Sequence, residues 1–174
     1  AAKAWHDHGH ENNPKVPRWE DTRKSSGFNF RMSELQGAVG LVQLDKASKI
    51  VKTQIKNSNE IWSKISKFKN IKKREEPKNS ISTYDSLIFF LDTNKNAKKL
   101  RYLLLEKNIS TKILPEAITW HFAGEWDHID RLVHHNKSKF QKSRRILSKA
   151  VSIPIFVKQK PGFVKSIVQC IKKL

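Results

Sequence analysis

An amide and a guanidinium two positions apart, Asn29 and Arg31, stand between aromatic residues in Gly27-Phe28-Asn29-Phe30-Arg31-Met32-Ser33-Glu34-Leu35-Gln36. A helix start follows them directly. Such a pair suits an anion, because unpaired backbone N–H groups and the positive end of the helix dipole point to that place, and a planar guanidinium grips phosphate or carboxylate at two points. The same residues also make sense as a helix start alone. Ser33 with Gln36 three positions on has the form of a capping box, and a solvated arginine beside it needs no ligand. Taken on spacing alone, the plain cap is the stronger reading.

Two other stretches concentrate reactive side chains. His6, His8 and His10 alternate, with Asp7 and Glu11 nearby. On a strand they would line one face, as a metal site requires. Gly9 and the helical residues before it oppose a strand, and no partner cluster is evident, so no metal site is expected. The segment from Ile113 to His128 holds Trp120, His121, Trp126 and His128 in an irregular context. The tryptophans fit a core plug and a ligand wall equally well. The two histidines suit ligand hydroxyls or neighbouring helix ends.

The elements that must position these groups follow from periodicity and punctuation. Residues 1–10 read as a helix end turning into a loop at Gly9, and residues 11–27, with Pro14, Pro17 and Gly27, as a long loop of the kind that usually serves a site. From Ser33 a helical stripe runs through Leu35, Ala38, Val39 and Val42, then Val51, Ile55, Ser58, Trp62 and Ile65, to about Phe68. Gly37 and Gly40 would let this helix bend or another backbone approach. The run Lys69-Asn-Ile-Lys-Lys-Arg74 reads as a solvated loop. Ser86–Leu91 has strand length, Asn94 is expected to cap a helix through Leu105 that Asn108 ends, and Ile109–Leu114 reads as a second strand stopped by Pro115. A helix over 138–150, a strand over 151–155 and a helix over 162–173 complete a small α/β layer. The expected division is 1–32, 33–68 and 69–174.

Composition bounds the rest. The 174 residues are 37% hydrophobic, enough for a modest core, and no apolar run is long enough to span a bilayer, so a cytoplasmic protein is expected. The lone Cys170 cannot form an internal disulfide and reads as a small core residue. A net charge of +19 raises the alternative of a basic module binding nucleic acid or polysaccharide. Against it, the charge comes from 27 Lys and only 8 Arg, scattered along the chain, whereas readers of bases and phosphates favour clustered Arg with interleaved aromatics.

Gly27-Phe-Asn-Phe-Arg-Met-Ser-Glu-Leu-Gln-Gly-Ala38 followed by Val42-Gln-Leu-Asp45 resembles the DegT/DnrJ/EryC1/StrS aminotransferases, pyridoxal-phosphate enzymes that aminate keto sugars. Ala4-Trp-His-Asp-His-Gly9 is similar to the family's Arg-x-His-Gly segment, without its arginine, so no role of that arginine carries over. Ser152-Ile-Pro-Ile155 and the amphipathic tail resemble the family's C-terminal end.

The resemblance implies the C-terminal part of a fold-type-I enzyme, working as a homodimer with shared active sites on a keto sugar and glutamate. It implies that Asn29 reaches the cofactor phosphate of the partner subunit, with Arg31 a second anionic contact or a support for the loop. His8, matching the family's His-Gly, would sit beside the active site, with Trp120 and His121 on the sugar side. The family's Schiff-base lysine has a Ser/Thr-rich context near paired glycines that residues 1–174 lack. The opening Ala-Ala-Lys-Ala reads as the middle of a helix, so a piece or truncated copy of a longer enzyme, inactive alone, is expected. His10–Arg18, Glu20–Arg23 and the Trp/His segment are similar to the branch that aminates an oxidised 3-deoxy-octulosonate for lipopolysaccharide. A carboxylate substrate would offer Arg18, Arg23 or Arg31 a partner.

Overall fold

The computed structural model describes residues 2–111, 122, 126 and 140–174. They form two compact units, 1–48 and 49–174, taken separately below.

The first unit holds α1 (Ala2–His6), a 3-10 turn at Arg18–Glu20 and the first half of α2 (Glu34–Ile65). The capping box at its start is real. Gln36 N–H donates to Ser33 Oγ at 3.3 Å, and Ser33 N–H donates back to Gln36 Oε1 at 2.8 Å. The stripe expected along α2 divides in two. Leu35, Val39 and Val42 are each more than half exposed, while Ser58, Ile61 and Ile65 are fully buried. Nothing lies within 4 Å of where a Gly40 Cβ would stand, so no described backbone uses the approach that the glycines permit.

The second unit is built on a three-stranded antiparallel sheet in the order β1 (Ile71–Lys73), β2 (Ser86–Leu91), β3 (Ala150–Pro154). The central strand is the apolar run that the sequence marks. Register sets Leu91 opposite Ile71, Phe89 opposite Val151 and Leu87 opposite Ile153, so side chains on one face meet in pairs. They join Ala97, Leu100 and Leu104 of α3 (Asn94–Glu106), Ile167, Cys170 and Ile171 of α5 (Phe163–Ile171), and Ile61 and Ile65 of α2 in one core. Each large side chain buried this way is worth roughly 1.5–3 kcal/mol. Amides pin α2 to the chain after β3: Asn57 Nδ2 donates to Phe156 O at 2.7 Å, and Gln54 Nε2 to Ile155 O at 3.4 Å.

Several local expectations need correction. Ile71–Lys73 is a strand, although its lysines suggested a loop. Its single inward residue, Ile71, supplies the burial, while Lys73 donates to the Tyr84 hydroxyl at 3.0 Å and lies 5.9 Å from the Trp62 ring centre. The Tyr84 hydroxyl in turn donates to Glu76. Thr93, not Asn94, caps α3, its hydroxyl accepting from Asn96 N–H at 3.1 Å. Asn108 does end it: at φ +55° it lets Ile109 N–H reach Leu104 O at 2.9 Å, the Schellman arrangement. Ile109–Thr111 is not strand, because that turn sends Ile109 into the core instead, and 112–114 lie outside the described residues. The expected helix over 138–150 is α4 (Gln141–Leu147) within the described part. Among the described residues no helix is long and apolar enough to cross a membrane.

Candidate functional site

The aromatic Asn/Arg loop is strapped to the end of α1 by the backbone. Phe28 N–H donates to Trp5 O at 2.9 Å, His8 N–H to Phe28 O at 3.1 Å and Phe30 N–H to His6 O at 3.1 Å, which sets Asp7 opposite Asn29 in an antiparallel bridge. Two glycines make this approach possible. A Cβ on Gly27 would stand 2.3 Å from Gly9 N and 2.7 Å from Ala4 O, and one on Gly9 would stand 2.1 Å from Ser25 O. Only glycine lets main chains come so close. A second strap lies alongside, where His10 bridges Arg23 and Asp21 accepts from Asn12 N–H at 2.7 Å.

Asp7 is the charged centre of this arrangement, and it is buried at 5% exposure. Arg18 Nη2 donates to both its oxygens at 2.7 and 2.8 Å, Arg31 Nε lies 3.3 Å away, and His8 Nδ1 is also at 3.3 Å. Burial by itself would raise the Asp7 carboxyl. The hydrogen bonds from His8 and Arg18 and the charges of Arg18 and Arg31 outweigh it, holding the group below the usual carboxylate range. Arg31 Nε also donates to Asn29 Oδ1 at 3.1 Å, and Arg31 N–H reaches the same oxygen at 3.4 Å.

Three of the residues picked out from sequence, His8, Asn29 and Arg31, therefore come together. Trp120 and His121 lie outside the described residues, as does His128. Within that segment Phe122 is buried, edge-on to Phe140 at 6.1 Å with the Arg144 guanidinium 5.0 Å from its ring centre, and Trp126 is half-buried. The three alternating histidines part company: His6 is exposed on α1, His8 turns to Asp7, and His10 faces Arg23. Among the described residues no three His, Cys, Asp or Glu side chains could share a metal ion.

Sequence reasoning missed Asp7 as the hub. Its partners sit 11 and 24 positions away with no periodic relation, and its only local signal is an acid at a helix end just before Gly9. Pairing with Asp7 also answers for Arg18 and, in part, Arg31, while Arg23 Nη2 lies 3.3 Å from His10 Nε2.

Chemically the site is a donor set. The Asn29 NH2 and the terminal nitrogens of Arg31 have no partner among the described residues, and both stand just ahead of a capped helix. Uncharged and cationic N–H donors of this kind fit a phosphate group.

The whole chain has the fold of known sugar aminotransferases. It superposes on Helicobacter pylori PseC, an aminotransferase of pseudoaminic acid biosynthesis, with TM-score 0.75 at 17% identity over 98% of this chain and 44% of that one. The sugar aminotransferase CalS13 from Micromonospora echinospora matches with TM-score 0.74 at 15% identity, covering 98% and 43%. The PLP-form of Spr1654 from Streptococcus pneumoniae, a putative sugar aminotransferase, matches with TM-score 0.74 at 14% identity, covering 98% and 41%. The chain thus spans less than half the length of each. The expected mixed α/β fold is met, and the model of one family covers residues 1–172: this chain belongs to the DegT/DnrJ/EryC1/StrS aminotransferase family.

Proposed function

We propose that this chain is the C-terminal part of a pyridoxal-phosphate-dependent sugar aminotransferase that passes an amino group from glutamate to a keto sugar. The observation that carries the reading is the Asn29 amide. Its oxygen is taken by Arg31 and its NH2 has no partner among the described residues, ahead of a helix N-terminus, in a chain whose family and fold are those of sugar aminotransferases. Asn29 would donate to the cofactor phosphate, with Arg31 beside it. The bound cofactor supplies the electron sink for amino transfer. Residues 1–32 would form the tail and active-site loop of the cofactor domain, 33–68 the connecting helix and 69–174 the small domain.

The lysine that carries the cofactor would come from the part of the enzyme outside these 174 residues, which leaves this piece inactive alone. Homodimeric sharing of the site is supported by the apolar surface of the first unit. Trp5, Phe28 and Phe30 form an exposed aromatic row, and Leu35, Val39 and Val42 are exposed along α2; so many large apolar side chains facing solvent call for a cover. His8, Trp120 and His121 would stand on the sugar side. The narrower identity, amination of an oxidised octulosonate, rests on sequence likeness over 10–18, 20–23 and the Trp/His segment, while Arg18 Nη2 and Arg23 Nη2 are already engaged by Asp7 and His10.

Two measurements on the full-length enzyme test this. Asn29→Ala should cost one hydrogen bond to a charged group, about 1.5–3 kcal/mol, read as cofactor lost on dialysis. Unchanged retention would return Asn29 to a helix-start role. Assays with glutamate as donor, comparing an oxidised octulosonate with nucleotide-linked keto sugars, decide the branch. Turnover of the nucleotide-linked sugars alone refutes the octulosonate reading and leaves the aminotransferase standing.

A further inference from the structure

A buried carboxylate is costly unless donors surround it, and Asp7 has collected an unusual set from three separate places in the chain. Nothing about closing a helix end requires a charge there. What the charge does can be followed atom by atom. Arg31 Nε lies 3.3 Å from Asp7 Oδ1 and 3.1 Å from Asn29 Oδ1, so one N–H is held between the carboxylate and the amide. A guanidinium N–H can only donate. The Asn29 side chain must therefore turn its oxygen toward Arg31 and present its NH2 outward. If the guanidinium were released from Asp7, half-exposed as it is, the amide would lose the partner that prevents it from flipping end for end. Arg18 completes the device, because it pairs with Asp7 at 2.7 Å and leaves one net positive charge in the group. An unneutralised carboxylate this close would repel an anion.

We propose that Asp7 is a positioning residue: through Arg31 it holds the Asn29 amide in the one orientation that donates to a phosphate. This rests on the reading that Asn29 meets the cofactor phosphate, and the two can fail separately. The test compares the affinity of the full-length enzyme for pyridoxal phosphate with its affinity for pyridoxal, which lacks the phosphate. Asp7→Asn keeps the shape of the side chain and removes its charge. It should cut the preference for the phosphorylated form about tenfold, the worth of one charge-assisted hydrogen bond, with pyridoxal affinity unchanged. Asp7→Glu, which restores the charge, should recover part of that preference. A lower melting temperature with the preference intact would make Asp7 purely structural and overturn the proposal. Asn29→Ala provides the separate control: if it leaves the preference intact, the phosphate reading of Asn29 itself is wrong. Should Asp7→Asn fail to fold because two arginines are left facing no anion, the double variant Asp7→Asn with Arg18→Gln removes one of them. The same two outcomes then decide.

Discussion

The two units are stabilised by different physics. The second encloses Phe89, Leu87, Leu100, Ile153 and Ile167 with essentially no exposure, and its strands and helices converge on that cluster. The first has little apolar interior. Among its described residues the buried ones include Ala4 and Asp7, while Trp5, Phe28 and Phe30 form an exposed row of mutually tilted rings, with ring centres 5.8 and 5.6 Å apart. It is held by main-chain straps drawn together at two glycines and by one carboxylate shared among three cationic or polar side chains. A core tolerates small shifts and still excludes water. A strapped loop holds its geometry through a few specific contacts, and that suits a site that must present one amide in one orientation.

The contrast can be broken at its strongest point in the second unit. Phe89→Ala should cost about 3–5 kcal/mol, because a buried ring opposite Val151 leaves a cavity that neighbouring strands cannot close. Urea unfolding of the full-length protein measures it, with amide exchange at Leu87–Leu91 showing where protection is lost. A cost under 1 kcal/mol would mean the cluster is not the source of that unit's stability.

Gly27→Ala is the matching change in the first unit. The added methyl meets backbone on two sides and nothing flexible can yield, so about 1–3 kcal/mol of overpacking strain is expected. Exchange should quicken at the His8, Phe28 and Phe30 amides, whose hydrogen bonds form the strap, while the β2 amides keep their protection. Equal loosening of both units would show that they are not separately held.

The smallest effect under ordinary conditions concerns pH. The Asp7 carboxyl titrates below its unfolded value of about 3.9, so what it contributes is complete above that value and is lost only as pH falls through the lower folded one. Protection of the strap amides should therefore stay flat from pH 8 to about pH 5 as far as Asp7 is concerned, and drop only in stronger acid. Loss of protection already near pH 5 in wild type, with the same loss in Asp7→Asn, would assign the acid sensitivity to another group.

Much of the fold was legible in one dimension because its signals are local. The apolar run 86–91 is β2, the Ser33/Gln36 pair is a reciprocal cap, and Asn108 closes α3, each decided by residues within a turn of one another. Where the reading failed, a distant partner had overridden local composition. Ile71 gains its strand from Leu91, 20 positions on, despite the lysines around it, and Ile109 enters the core where a strand was expected. For the site, the motif at 27–36 led to Asn29 and Arg31 as residues. The sequence alone determined the family, the capped helix and the donors placed before it, because side-chain chemistry and short-range spacing carry that information. Only the tertiary structure decided that Asp7 binds Arg18 and Arg31 and that the Asn29 oxygen is taken. Those are contacts between segments brought together by two glycines, and no periodicity in the chain records which charge will meet which.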